Sequence, residues 1–175
     1  ASEVFEQERY PMGKAYLQWE LGRVSHREGR HEEAVARYRR ALAGFREIGL
    51  RAGEANTLHE LGLTRHHLGG RKTAVLLLDR SLELFRLIGD PDGQSEVLNT
   101  RGSCAADAGD PRAALAFHLD ALELAVTADS LLEQARAHDG CARCRWELGD
   151  RQQALTDLRE ALEICRRIGA AERHT

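Results

Sequence analysis

Lysine is almost missing from this chain. Of its 25 basic residues only Lys14 and Lys72 are lysine. Arginine codons are GC-rich, so the bias points to a bacterial source. Cysteine is sparse as well: four in 175 residues. That lacks the density of a secreted disulfide scaffold and points to a reducing, cytoplasmic setting. There is no excess of positive charge. The net charge is -3, which speaks against nucleic acid as a direct partner. No apolar run approaches the roughly 20 residues of a membrane-spanning helix. No signal peptide is visible, although the chain begins at Ala1 rather than Met. Phosphate-binding loops, dinucleotide fingerprints, HExxH and nucleophile elbows are all missing. The HEEAV at His31 is not HExxH. The expectation is a non-catalytic chain with no cofactor and no metal.

What the chain has instead is repetition. Gly29, Gly69, Gly109 and Gly149 lie 40 residues apart. Ala34, Ala74, Ala114 and Ala154 keep the same rhythm, as do Leu42, Leu82, Leu122 and Leu162. Such a unit must bury its apolar face against its neighbours, so stability comes from repeat-to-repeat interfaces. The units fall at about 11–50, 51–90, 91–130 and 131–170. Each divides into two amphipathic stretches of helix length with a glycine turn between them.

The punctuation agrees with that division. Asp90-Pro91 and Asp110-Pro111 read as N-cap plus first-turn proline, and Ser130 and Asp150 as further caps. Gly29, Gly69, Gly109 and Gly149 would close the first helix of each pair; Gly49, Gly89 and Gly169 would close the second. Gly22, Gly62 and Gly102 fall inside first helices, where glycine costs about 1 kcal/mol relative to alanine. The expected reason is close approach of the second helix through Ala34, Ala74 and Ala114; in the fourth unit Ala142 stands where the other units have this glycine. Ala41, Ser81, Ala121 and Ala161 mark a second small-residue seam.

Leu58, Leu61, Gly62, Ala74, Leu78 and Ser81 in the second unit are similar to the pattern of the tetratricopeptide repeat. The resemblance covers nearly the whole chain. The 40-residue period resembles the longer variety found in kinesin light chain and in actinobacterial regulators. It implies an all-α, right-handed α-solenoid of four helix-turn-helix units, forming a single domain over residues 1–175. Ala1 and Phe5 are in register with Ala41 and Phe45, so residues 1–10 read as the tail of a preceding repeat. The chain therefore reads as part of a longer protein. Self-association through the open face of helix 151–168 is expected.

In that family the first helices line a partner-binding groove. Carried onto this chain, the groove register is Trp19, Arg23, His26 and Arg27 in the first unit. It continues with His59, Leu63, His66 and His67, then Asn99, Ser103 and Asp107. Asp139, Arg143 and Trp146 complete it. The resemblance implies a protein or peptide partner, and the basic first half suggests an acidic segment. Trp19 and Arg23 stand where chaperone-tail receptors place Lys and Asn; Glu60, Glu96 and Thr100 replace further clamp residues. That clamp is absent. The implied role is the sensor or interaction domain of a bacterial transcriptional or signalling regulator. The alternative is a sensor of a small molecule or peptide signal.

Two clusters could carry other chemistry. His59, His66 and His67, with His26 one helix away, have a spacing that can hold a metal, but they read here as a titratable groove wall. His138, Cys141 and Cys144 share one helix face. A lone CxxC is weak grounds for zinc or redox chemistry. Cys141 stands in the register of Leu21 and Leu61, and Cys165 in that of Phe45 and Phe85, so packing is the reading adopted.

Overall fold

A computed structural model describes residues 2–171, with side chains of 11–170. The described residues form eight helices and no strand. They are α1 (Ser2–Arg27), α2 (His31–Glu47), α3 (Arg51–His67), α4 (Arg71–Ile88), α5 (Pro91–Asp107), α6 (Pro111–Thr127), α7 (Leu131–Glu147) and α8 (Arg151–Ala171). The register of Ala1 and Phe5, on which a preceding repeat was read, lies outside the described side chains. The chain divides into two compact units, one ending at Ile88 and one beginning at Gly89.

Each unit holds two helix hairpins. In the first, α1 packs on α2, α3 on α4, and α2 on α3; in the second, α5 packs on α6, α7 on α8, and α6 on α7. The first helices also touch each other, α1 with α3 and α5 with α7, whereas the second helices of a unit do not. First helices therefore line the inner side of each unit, as the repeat pattern implied.

The glycine turns work by backbone hydrogen bonding. At Gly29 (φ 75°) the amide of Arg30 reaches Ser25 O at 2.9 Å and that of Gly29 reaches His26 O at 3.0 Å. This left-handed closure satisfies carbonyls that the helix end leaves open. Asp129 (φ 53°) stands where the period would place glycine and adopts the same conformation, which Asp tolerates better than most residues. Gly169 does not act this way, because α8 runs through it. Asp90 and Asp110 cap through their side chains, to Gly93 N (3.0 Å) and Ala113 N (2.9 Å), and Asp150 caps weakly, to Gln153 N at 3.3 Å. Ser130 sits at the N-cap without a side-chain bond.

The seams hold a correction. Gly22, Gly62 and Gly102 make room for the side chains four residues beyond the alanines: Tyr38, Leu78 and His118. A Cβ at Gly22 would lie 2.6 Å from Tyr38, and one at Gly62 would lie 2.8 Å from Leu78. Ala34, Ala74 and Ala114 are fully buried beside them, and at Gly62 the Ala74 carbonyl also lies 3.3 Å from such a Cβ, so there the glycine makes room for both. The second seam is as expected: Ala41, Ser81, Ala121 and Ala161 are buried, and Ser81 Oγ donates to Ala55 O at 2.8 Å. Leu155, Leu158 and Leu162 are exposed on α8.

Candidate functional site

The groove register of the first unit is largely engaged within the chain. Trp19 is half-buried and packs on the cores around Tyr38 and Phe45. The Arg23 guanidinium lies 4.8 Å from the Trp19 ring, donates to Glu20 at 3.3 Å and faces Glu60 at 3.7 Å. Tyr38 OH donates to the other Glu60 oxygen at 3.3 Å. Burial first, and then Glu60, hold the phenol above its usual range. His59 is buried and Leu63 half-buried, while Arg27 is exposed. Trp19 and Arg23 thus tie α1 to α2 and α3.

Three histidines converge at one end of this unit: His26 near the end of α1, His31 opening α2 and His67 ending α3. Their ring centroids are 5.0, 5.1 and 5.4 Å apart. Burial, then His67 and His31, push the His26 pKa down. His66 lies beside His67 at 6.1 Å. The sequence reading grouped His59 with this cluster. His59 is buried elsewhere on α3, and His31 takes its place. The left-handed turn at Gly29 brings His31 back beside His26.

The second unit gathers more of the expected groove. A cleft of about 330 Å³ is lined by Asn99, Ser103 and Asp107 of α5 and by Asp139 and Arg143 of α7. All five belong to the register read from the sequence. Arg136 and His118 also line it and were not anticipated. Trp146 is elsewhere. It is 54% exposed, lies 5.4 Å from the Arg151 guanidinium and faces a separate depression toward Leu158.

The floor of the cleft is a buried polar chain. His118 Nδ1 meets Asn99 Oδ1 at 3.0 Å, and Asn99 Nδ2 donates to Glu133 O (3.1 Å) and to its carboxylate (2.9 Å). Arg136 donates to the other Glu133 oxygen at 2.8 Å. Glu133 only accepts, so the Asn99 amide nitrogen must face it and the amide oxygen must face His118. His118 therefore carries its proton on Nδ1. Asn99 is accordingly structural in this state, since both ends of its amide are occupied.

Burial, then Arg143, push the His118 pKa from 6.5 down to about 4. Between these values the unfolded chain binds the proton and the folded chain does not. Stability is thus retained above pH 6.5 and declines as pH falls toward 4, by at most about 3 kcal/mol. Urea unfolding across this range should show the slope, and His118→Leu should flatten it. Leu fits the position by analogy with Leu78, which faces Gly62 in the same way.

Cys104, Cys141 and Cys144 are buried. Burial pushes Cys104 up to about 11 and Cys141 up to about 12, so these thiols stay protonated at neutral pH. Cys165, read as a core replacement, is exposed. His138 has a partner: its Nδ1 lies 3.4 Å from buried Asp157, which also binds Arg145.

A family model described as tetratricopeptide repeat matches residues 13–87, 53–125 and 93–167 in overlapping segments. The chain belongs to the tetratricopeptide repeat family. Among solved structures it resembles BtubC (BKLC) from P. vanneervenii, with a TM-score of 0.76 at 20% identity over 89% of this chain. It also resembles aspartyl phosphate phosphatase F from Bacillus subtilis, with a TM-score of 0.85 at 12% identity over 90% of this chain. A Rap protein complexed with competence and sporulation factor matches with a TM-score of 0.76 at 16% identity over 88% of this chain. The chain spans 64%, 42% and 43% of the lengths of these three proteins. At such identities the likeness is one of fold. It supports the all-α helical-repeat class and does not single out the kinesin light chain variety. No curated protein matches the chain significantly. Among the described residues no helix is long and apolar enough to cross a membrane.

Proposed function

We propose that this chain is a non-catalytic tetratricopeptide scaffold that binds a peptide segment of another protein, as the sensor or interaction domain of a bacterial transcriptional or signalling regulator. The observation that carries the reading is the cleft of the second unit. Its walls present Arg136 and Arg143 alongside Asp107 and Asp139 over a rigid polar floor. Paired charges of both signs suit an extended segment with an acidic side chain near the arginines. One structural neighbour, the Rap conjugation gene regulator of plasmid pLS20, is in complex with the Phr* peptide, and another is a Rap protein complexed with competence and sporulation factor. Another carries the name of a phosphatase. The same reading includes self-association through Leu155, Leu158 and Leu162; sedimentation of a Leu155→Gln, Leu158→Gln variant tests it.

The test is selection from a displayed random-peptide library, followed by titration of a selected peptide. Arg143→Ala with Asp139→Ala should weaken binding by roughly tenfold or more, since each lost charge-assisted contact is worth about 1.5–3 kcal/mol. Arg39→Ala with Arg40→Ala, on the exposed face of α2, should leave affinity unchanged. Normal binding by the cleft variant and loss by the α2 variant would place the function on the outer surface.

A further inference from the structure

The three converging histidines of the first unit are not used by the proposed cleft, and their arrangement suits a Lewis acid better than solvent. Each of His26, His31 and His67 offers one ring nitrogen within 4.8 Å of the other two. Three imidazole nitrogens around a tetrahedral zinc at about 2.0–2.1 Å sit roughly 3.3 Å from one another. Small rotations of half-exposed rings close that difference.

Two further observations concern the lone pairs. Thr64 Oγ1 donates its proton to Glu60 O at 2.7 Å. It can therefore only accept from His26 Nδ1, 2.8 Å away. His26 is held in the Nδ1–H tautomer, with Nε2 left as a donor to a metal. A ligating histidine whose other nitrogen is anchored by a neighbouring oxygen is the usual outer-shell arrangement. His31 Nδ1, for its part, is buried and meets no hydrogen-bond partner among the described residues. A bound ion would satisfy it.

The surroundings tolerate a cation. His26 and His67 occupy the last turns of α1 and α3, the negative ends of their helix dipoles. Arg30, which directly precedes His31, is held by Glu28 and Glu33.

We propose that His26, His31 and His67 form a three-imidazole site for a borderline divalent transition ion, zinc or a close relative. Imidazole is the ligand type such ions prefer. A fourth position remains for water or for a group brought by a partner. The site ties α1, α2 and α3 together at one end of the unit.

The experiment is zinc titration of tag-free chain by calorimetry, with the visible spectrum of the cobalt(II) complex as a second readout. One zinc per chain is expected, with a rise in Tm that saturates with the metal. His31→Gln and His67→Gln should each weaken zinc binding by more than about tenfold, since outer-shell losses alone cost 10–100-fold. The metal-free variants should keep the circular dichroism and Tm of the parent, which separates lost ligation from lost folding. His66→Gln should bind as the parent does. Absence of saturable zinc binding would overturn the site. Binding unchanged in the His31→Gln, His67→Gln double variant would overturn it too, as would loss in His66→Gln equal to that in His67→Gln. None of these readouts involves a peptide, so they stand apart from the cleft.

Discussion

Replacing Gly140 by leucine is expected to destabilise the second unit strongly, and even Gly140→Ala should lower its stability. A Cβ on Gly140 would lie 2.4 Å from His118 Cε1 and 2.5 Å from both ring nitrogens. On the other side, a Cβ on Gly102 would lie 2.6 Å from the same ring. The imidazole is clamped between two glycines and anchored to Asn99 at 3.0 Å, so moving it aside costs that hydrogen bond. Alanine gains about 1 kcal/mol in helix propensity over glycine. Overpacking costs about 1–3 kcal/mol, more for a larger side chain. At roughly 2–4 °C per kcal/mol, leucine should lower Tm by about 5–10 °C or remove the transition. Thermal melts by circular dichroism check this. In a His118→Ala background the penalty of Gly140→Ala should shrink, since the two positions share one space. An unchanged Tm for Gly140→Leu would refute the clamp. Gly62→Leu should behave alike in the first unit, against Leu78.

Asn99→Leu should be the second severe change, by a different route. It fits the space but removes the centre of the buried polar chain. The Glu133 carboxylate would lose its amide donor and His118 Nδ1–H its acceptor. Each orphaned buried group costs about 1–3 kcal/mol, more for a charge, so a loss of about 3–5 kcal/mol is expected in chemical denaturation. Asp139→Ala, on the exposed wall of the same cleft, should change stability by less than about 0.5 kcal/mol. A stable Asn99→Leu that no longer binds a selected peptide would make Asn99 a contact residue, as its register alone suggested.

Much of the architecture was legible in the sequence because a period is a strong signal. Four units in register at 40 residues, with glycine closing each first helix, leave little choice but stacked hairpins. The turns and the Asp caps followed from local backbone chemistry, which needs no knowledge of neighbours. Gly169 and Ser130 depart from this because a turn residue permits a turn without enforcing one. The groove register was partly legible too. Asn99, Ser103, Asp107, Asp139 and Arg143 do share a cleft, since i, i+4 spacing puts the first three on one face of α5 and the last two on one face of α7.

The polar chain was written in departures from the repeat. Glu133 replaces the series Gly13, Gly53, Gly93; Gly140 replaces Glu20, Glu60, Thr100; His118 replaces Tyr38 and Leu78. Each looks like drift when read alone, and only the packing of α5, α6 and α7 shows that the three belong together. The histidine cluster depends in the same way on three helices meeting. His26 and His67 are 41 residues apart, and no spacing along the chain says that His31 joins them while His59 turns inward. The sequence by itself determined the helices, their order and which face of each is apolar, because these depend on neighbours within one or two turns. Which side chains share a volume was decided only by the tertiary structure. That choice depends on how side chains from different helices fill the same few cubic ångströms, and the repeat period carries no information about it.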